Sequence, residues 1–424
     1  MKEQKERFSK LERAFKILEY LKLNSDSEHT VTQAALRRES EIEPYLGDKE
    51  TYNDTIVKMA MALNFDEYGV KSENEWKLIF KDFVKKFGAE SLDESDSEDE
   101  YDDNQTMRIR GLYYNHTFTY EEINSMIESI LFSKTIDTES ANKIIEKIEN
   151  NLTTKFYKKG AKNICRVKEP VLADREILRK NLLTIQRAID DGVQISFTFN
   201  GYDKYKKLVP NHNKKDTVSP YYIVASGGRY YLLACKELVF SEKTITNMSI
   251  WRIDLMSEIE IPGRDEKHNI NGIPSVSKWK VDNLPQSWSE DFQLSHLNMS
   301  FDNPVKIKLR IKSPKEKNNP SKPLRADYTF MYDWFGDTFK YIRTEESEPY
   351  DDIVEVKCSP YAMANWAFQY SDRVEIIEPE SVRNMVIEKV MSLNKFTKEC
   401  RNGTYNINYS SYNFLCNLSL YCVS

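Results

Sequence analysis

The chain has 424 residues, of which 40% are hydrophobic and 30% charged, and a formal net charge of −6. This length points to two to four domains with several modest cores. The charge excludes a global basic field, so any nucleic-acid contact must come from local patches. No window approaches eighteen consecutive apolar residues, which excludes a transmembrane helix. The opening MKEQKERFSKLERAF carries charge throughout and lacks the apolar run of a signal peptide.

Six cysteines are scattered without a C-x-x-C pair, with Cys400, Cys416 and Cys422 crowding the end. That usage fits a reduced, cytoplasmic compartment. None of the five histidines pairs with Cys or a carboxylate at ligand spacing, so neither a zinc site nor another cofactor is expected.

In chain order, residues 5–23 read as an amphipathic helix with Phe8, Leu11, Phe15, Leu18 and the end from Leu21 to Leu23 on its inner face. Thr32 is placed to cap a second helix from Gln33. Residues 48–64 read as a third, with Tyr52, Ile56, Met59 and Leu63 as its apolar stripe. Three short helices, the third preceded by a Gly-containing turn, match either a helix-turn-helix or a plain helical bundle. Residues 90–103 hold nine Asp or Glu and no cation. Such a run builds no core and reads as a disordered acidic loop. Met107–Tyr114 then reads as a strand.

Thr119 opens a further helix, with Glu121 and Glu122 in the first turn where the helix dipole favours them. Residues 120–133 and 138–152 read as a helical pair. Residues 174–190 read as another helix, with Ile177, Leu178, Leu182, Ile185 and Ile189 inward and Gly192 at its end.

From Gln194 to Ile259 short alternating apolar runs are separated by polar turns, the pattern of a small, strongly bent sheet or barrel. Gly227-Gly228 suits a tight hairpin carrying Tyr221, Tyr222, Tyr230 and Tyr231. Lys206, Lys207, Arg229, Lys236 and Arg252 lie close in sequence. Aromatic faces interleaved with cations suit bases and phosphates. A connector with Trp279, Pro285 and Trp288 follows. Residues 303–378 then alternate in a β-β-β-α-β-α order. The strands are 305–311, 339–342, 353–356 and 372–377, and the helices 359–370 and from Pro379 to about Leu393. The Asn-, Ser- and Tyr-rich 396–424 receives no function.

Three pieces of the middle segment resemble the WYL domain, an SH3-like β-barrel of bacterial transcription regulators. Tyr230-Tyr231-Leu232 stands in the place of the Trp-Tyr-Leu triplet. Trp251-Arg252-Ile253-Asp254 resembles the later aromatic-Arg-Leu-Asp strand, and Ser219-Pro220-Tyr221 the Pro-Tyr strand start. Leu255-Met256 stands where the family often has Arg-Ile, a departure that bears on one cationic ligand contact and not on the fold.

The resemblance implies a multidomain α+β protein. It would comprise a winged helix-turn-helix (1–118), a helical linker or dimerisation segment (119–191), a WYL-like SH3/Sm-like barrel (192–262), a connector (263–302), a small α+β extension (303–395) and a tail (396–424). It also implies a homodimer on a palindromic duplex operator, sensing a nucleotide or single-stranded nucleic acid. Lys206, Ser219, Tyr221, Tyr231 and Arg252 are the implied effector contacts. Lys49, Thr51, Asn53 and Lys58 are the candidate DNA contacts on the third helix, with Arg108 and Arg110 on the wing strand, where the acidic loop would compete for them.

Bland readings stand beside these. The tyrosines also suit barrel packing, and Arg252 also suits an ion pair with Asp254 on its own strand. Glu50 and Asn53 stand where the family places cations, and Asp48, Glu50 and Asp54 repel phosphate. The alternative is therefore a nucleic-acid-binding or scaffold protein whose helix-turn-helix has lost operator binding. No G-x-S-x-G, Walker A, G-x-G-x-x-G or H-E-x-x-H motif is present, and a Ser219–His212 nucleophile pair lacks a third orienting group, so no enzyme is expected.

Overall fold

The computed structural model describes residues 8–88, 107–167, 174–240, 243–265, 267–268, 270–316, 319–323 and 325–402. The chain is a mixed α+β protein with two compact units, Met1–Leu172 and Ala173–Ser424. The segment 119–191, read from sequence as one linker, is divided between them. The acidic stretch 90–103 and most of the tail lie outside the described residues.

The first unit opens with α1 (Lys10–Asn24), whose first turn is closed by a capping box between Ser9 and Glu12. Its buried side chains are Ile17 and Leu21, whereas Leu11 and Phe15 are 79% and 58% exposed. Leu21 is inward as expected, while Leu11 and Phe15 are a correction, the buried face lying about a third of a turn from them. Thr32 caps α2 (Gln33–Leu36) by accepting the Ala35 amide, as expected. A short helix absent from the sequence reading, α3 (Glu43–Leu46), follows.

Next comes α4 (Lys49–Asn64), capped by Asp48, with Tyr52, Ile56 and Met59 buried. After the small hairpin β1 (Phe65–Asp66) and β2 (Gly69–Val70), β3 (Leu78–Ile79) leads into α5 (Lys81–Phe87). β3 pairs antiparallel with β4 (Tyr113–Tyr114), and Val31 bridges Leu112 beside it. The strand expected over Met107–Tyr114 is thus confined to its end, because only that end finds partners.

The buried Asn64 joins helix to sheet. Its Nδ2 donates to the Leu78 carbonyl at 2.8 Å, and its Oδ1 accepts the Lys77 and Leu78 amides. One core holds Ile17, Leu21, Tyr52, Ile56, Trp76, Phe80, Phe83 and Leu112.

The expected helical pair is α6 (Tyr120–Phe132), with a Thr119–Glu122 capping box, and α7 (Thr138–Leu152). Arg166 closes the link between them by donating to the carbonyls of Ser133, Ile136 and Asp137. The Tyr120 hydroxyl donates to Asp26 at 2.9 Å, tying α6 to the loop after α1.

The second unit begins with α8 (Arg175–Asp191), ended by Gly192. Ile185 and Ala188 are buried, but Ile177 is exposed, a correction to the expected inner stripe. Six strands follow: β5 (Ile195–Tyr202), β6 (Leu208–Pro210), β7 (Asp216–Ser226), β8 (Arg229–Phe240), β9 (Lys243–Arg252) and β10 (Met256–Glu260). The sheet order is β10-β5-β7-β8-β9, with β6 on β5, and every pairing is antiparallel.

β9 and β10 stand at opposite edges of that order, yet only the 3₁₀ turn Ile253–Leu255 separates them. Four residue steps reach at most about 14 Å. Five strands laid flat would put the edges about 19 Å apart. The sheet therefore curls, bringing the Arg252 end of β9 within that reach of Met256 on β10.

Alternation along β8 sends Leu232 and Ala234 into one core with Ile185, Phe197 and Ile253. Leu233 and Cys235 enter a second with Tyr221, Val281, Leu284 and Phe292. This second core is where the connector, including α9 (Phe292–Ser295), covers the other face of the sheet.

The C-terminal part holds β11 (Val305–Ile311), the hairpin β12 (Lys315–Glu316) and β13 (Asn319–Pro323), α10 (Thr329–Phe335), β14 (Lys340–Thr344) and β15 (Asp352–Cys358). It ends with α11 (Pro360–Gln369), β16 (Val374–Glu378) and α12 (Glu380–Asn402). The sheet order is β14-β15-β11-β16. The expected order is present, with the β12–β13 hairpin and α10 added.

Candidate nucleic-acid interfaces

The approach to α4 is built by two arginines. Arg13 Nη1 donates to the Tyr45 carbonyl at 3.3 Å, and Arg37 Nη2 to the Gly47 carbonyl at 2.7 Å. Gly47 turns the chain with φ of +64°, and a Cβ there would lie 2.6 Å from Arg13 Nη1. Asp48 then accepts the Thr51 amide at 2.7 Å, which holds its carboxyl below the usual range, with Arg13 and Arg37 adding to the effect.

Of the four candidate contacts on α4, Lys49 and Lys58 are exposed and Thr51 and Asn53 half-buried. Lys58 is paired with Asp54 at 2.7 Å, and Glu50 is exposed beside Lys49. The helix start presents more negative than positive charge, with Asp48 and Glu50 against Lys49.

Cations concentrate elsewhere in the same unit. α5 carries Lys81, Lys85 and Lys86, and the extended run before β4 carries the exposed Arg108 and Arg110. The two pieces are joined through the backbone. The Arg108 amide donates to Asp82 Oδ2 at 2.7 Å, and the Lys81 amide to the Arg110 carbonyl at 2.9 Å. Among the described residues none of these five cations pairs with a carboxylate. The sequence reading found Arg108 and Arg110 but missed the three lysines, because KDFVKKF is too short for an amphipathic period to stand out.

In the second unit, Gly227 and Gly228, with φ of +55° and +78°, make the two-residue hairpin turn between β7 and β8. Tyr231 stands opposite Arg252 on β9. Arg252 donates to Asp254 through Nε at 3.2 Å and Nη2 at 2.6 Å. Arg229 Nη1 lies 3.6 Å from the same carboxylate. The turn carrying Asp254 is fixed by two asparagines. Asn181 Nδ2 donates to the Met256 carbonyl at 2.9 Å, and Asn200 Nδ2 to the Leu255 carbonyl at 2.9 Å.

One carboxylate between two guanidinium groups leaves a net positive end to the sheet, bordered by a tyrosine. Burial works against the Arg252 charge, but its bonds to Asp254 outweigh this and hold the guanidinium above its ordinary value. Burial raises the Tyr231 phenol, opposed by Arg252 and Arg229.

The other effector candidates fall differently. Ser219 is buried, and its Oγ accepts the Val276 amide at 3.0 Å. Tyr221, also buried, donates to the Val276 carbonyl at 2.7 Å. Both backbone polar groups of Val276 are gripped, so these side chains hold the connector. Lys206 is exposed on the turn between β5 and β6. Lys236 is tied at 2.5 Å to the buried Asp216, which also faces His212 at 3.1 Å. His212 therefore lies beside a carboxylate, and Ser219 is taken by a backbone amide. Of the five candidates, Tyr231 and Arg252 come together.

No protein-family profile matches the chain, and no curated protein matches it. Among solved structures it is similar to the proteasome accessory factor B/C (PafBC) of Arthrobacter aurescens. The identity is 16%, over 65% of this chain and 37% of that chain, with a TM-score of 0.22. It is also similar to a CRISPR Cas-related protein at 15% identity, over 66% of this chain and 71% of that chain, with a TM-score of 0.31. The chain spans little more than a third of the accessory factor's length. TM-scores of this size define no common overall arrangement.

Proposed function

We propose that this chain is a DNA-binding transcription regulator of the WYL type. Its first unit grips duplex DNA and its second receives a nucleotide or single-stranded nucleic-acid effector. The observation that carries the reading is the layout of the first unit. Helices α2 to α4 follow one another through tight turns, and the small sheet of β3, β4 and the Val31 bridge closes beside them, as in a winged helix. Phosphate contact falls mainly to Lys81, Lys85, Lys86, Arg108 and Arg110, and α4 adds Lys49, Thr51 and Asn53. The Arg229–Asp254–Arg252 array beside Tyr231 is the proposed effector end, with Lys206 as an outlying contact.

The protein acts as a cytoplasmic homodimer on a palindromic site and carries out no chemistry of its own. Among the described residues no helix is long and apolar enough to cross a membrane.

The test is a titration of the DNA upstream of the protein's own gene across a range of salt. Binding should weaken as salt rises, and Lys85→Glu with Arg108→Glu should flatten the log–log slope by about 1 per lost phosphate contact. Equal affinity in wild type and variant at all salts would sink the assignment. The Lys58–Asp54 pair and the exposed Glu50 favour a second reading, a nucleic-acid-binding scaffold without operator selectivity. Identical binding to upstream and scrambled duplexes would select it.

A further inference from the structure

We propose that the connector turn Lys278–Lys280, with Tyr222 and Trp288 beside it, is a docking platform for single-stranded nucleic acid, made of different residues from the Tyr231–Arg252 end. The inference rests on the reading that the second unit receives a nucleic-acid ligand, and it names a surface for it. Val281, Leu284 and Phe292 of the same connector are buried against the sheet. Trp279, two residues before Val281, is 83% exposed. An indole that packing does not use, flanked by lysines on both sides, suits a planar, anionic partner.

The indole is presented from a fixed base. The Val281 amide donates to the Lys278 carbonyl at 3.1 Å, and Gln286 Nε2 to the same carbonyl at 3.2 Å. Thr246 Oγ1 of β9 donates to the Lys280 carbonyl at 2.5 Å. Lys278 Nζ lies 4.3 Å from the centre of the Tyr222 ring and donates to its hydroxyl at 3.2 Å. The Tyr222 ring is in turn 5.6 Å from that of Trp288, which is 42% exposed. Lys278, Tyr222 and Trp288 thus form one run of contacts, and Trp279 follows Lys278 directly in the chain.

Among the described residues neither Lys278 nor Lys280 pairs with a carboxylate. Asp282, Glu290 and Asp291 are exposed on the same connector, so the positive charge is local to the indole. Bases stack on Trp279 and Trp288, while phosphates meet Lys278 and Lys280.

The experiment uses the full chain and labelled oligo(dT) and oligo(rU) of about twelve nucleotides, a length within the footprint of one small binding fold. Wild type should bind with tryptophan quenching. Trp279→Ala should bind about ten-fold more weakly with an unchanged melting temperature, Trp279→Phe should keep most of the affinity, and Lys278→Gln with Lys280→Gln should flatten the salt dependence. Equal affinity of wild type and Trp279→Ala overturns the platform and leaves effector sensing standing. Failure of wild type to bind any oligonucleotide or mononucleotide overturns both, and the duplex titration of the first unit judges DNA binding separately.

Discussion

Asp254 is 8% exposed as a side chain and shares its charge between Arg252 and Arg229. A carboxylate this deep depends on its partners, because water no longer solvates it. Arg252→Ala should cost about 2 kcal/mol, the lower part of the range for a broken buried pair because Arg252 itself is partly solvated. The check is a denaturant midpoint, and Arg252→Ala combined with Asp254→Ala should recover part of the loss. Strict additivity would mean that the pair is uncoupled.

A second residue-scale effect involves His296, which stacks on Phe292 with ring centres 4.0 Å apart and has its Nδ1 3.0 Å from the Phe292 carbonyl. Burial lowers its pKa below the ordinary 6.5, opposed by that carbonyl and Asp302, with Lys357 adding slightly to the lowering. The unfolded chain therefore takes up the proton first, and stability is lost as pH falls through about 6.5 towards the depressed value. His116 is lowered by burial in the same sense. The drop in melting temperature between about pH 7.5 and about pH 5.5 should shrink, but not vanish, in His296→Gln. An undiminished drop would remove His296 as its source.

Among elements, the turn into α4 is the most constrained. Gly47→Ala would place a Cβ against Arg13 at a left-handed φ and should destabilise by about 1–2 kcal/mol, read from thermal melts. A variant as stable as wild type would show that the turn relaxes freely.

Elements with a local signal were legible before the fold was known. Thr32 and Thr119 announce helix starts through their own side chains, and Gly227-Gly228 forces its hairpin. The face of α1 was not legible. Phe8, Leu11, Phe15 and Leu18 make as regular a stripe as Ala14, Ile17, Leu18 and Leu21, and only tertiary contacts choose between them.

The same limit governed the candidate sites. The Arg252–Asp254 pair lies within three residues and was visible as an alternative. Ser219 and Tyr221 looked free because Val276, which claims both, is more than fifty residues further along. Asn181 and Asn200 carried no signal, since a buried amide serving a distant turn resembles any surface asparagine in sequence.

For the whole molecule, the division into two units, each with its own buried clusters, predicts separable behaviour. A fragment of residues 8–167 should melt cooperatively and retain the salt-dependent duplex binding. A fragment of residues 174–402 should melt by itself and retain any oligonucleotide binding. Loss of cooperativity in either would mean that the units fold only together.

The grip on Val276 has one more consequence. Beneath the connector lies Cys235, a free thiol that burial raises to about 11. It reacts when the strap over it lifts, since burial under the closed strap both blocks access and keeps the thiolate scarce. Cys165 is open to solvent and Cys358 is enclosed in another core, so their alkylation rates bracket it from either side. The molecule thus carries its own stopwatch for connector opening, and Ser219→Ala should make it run faster.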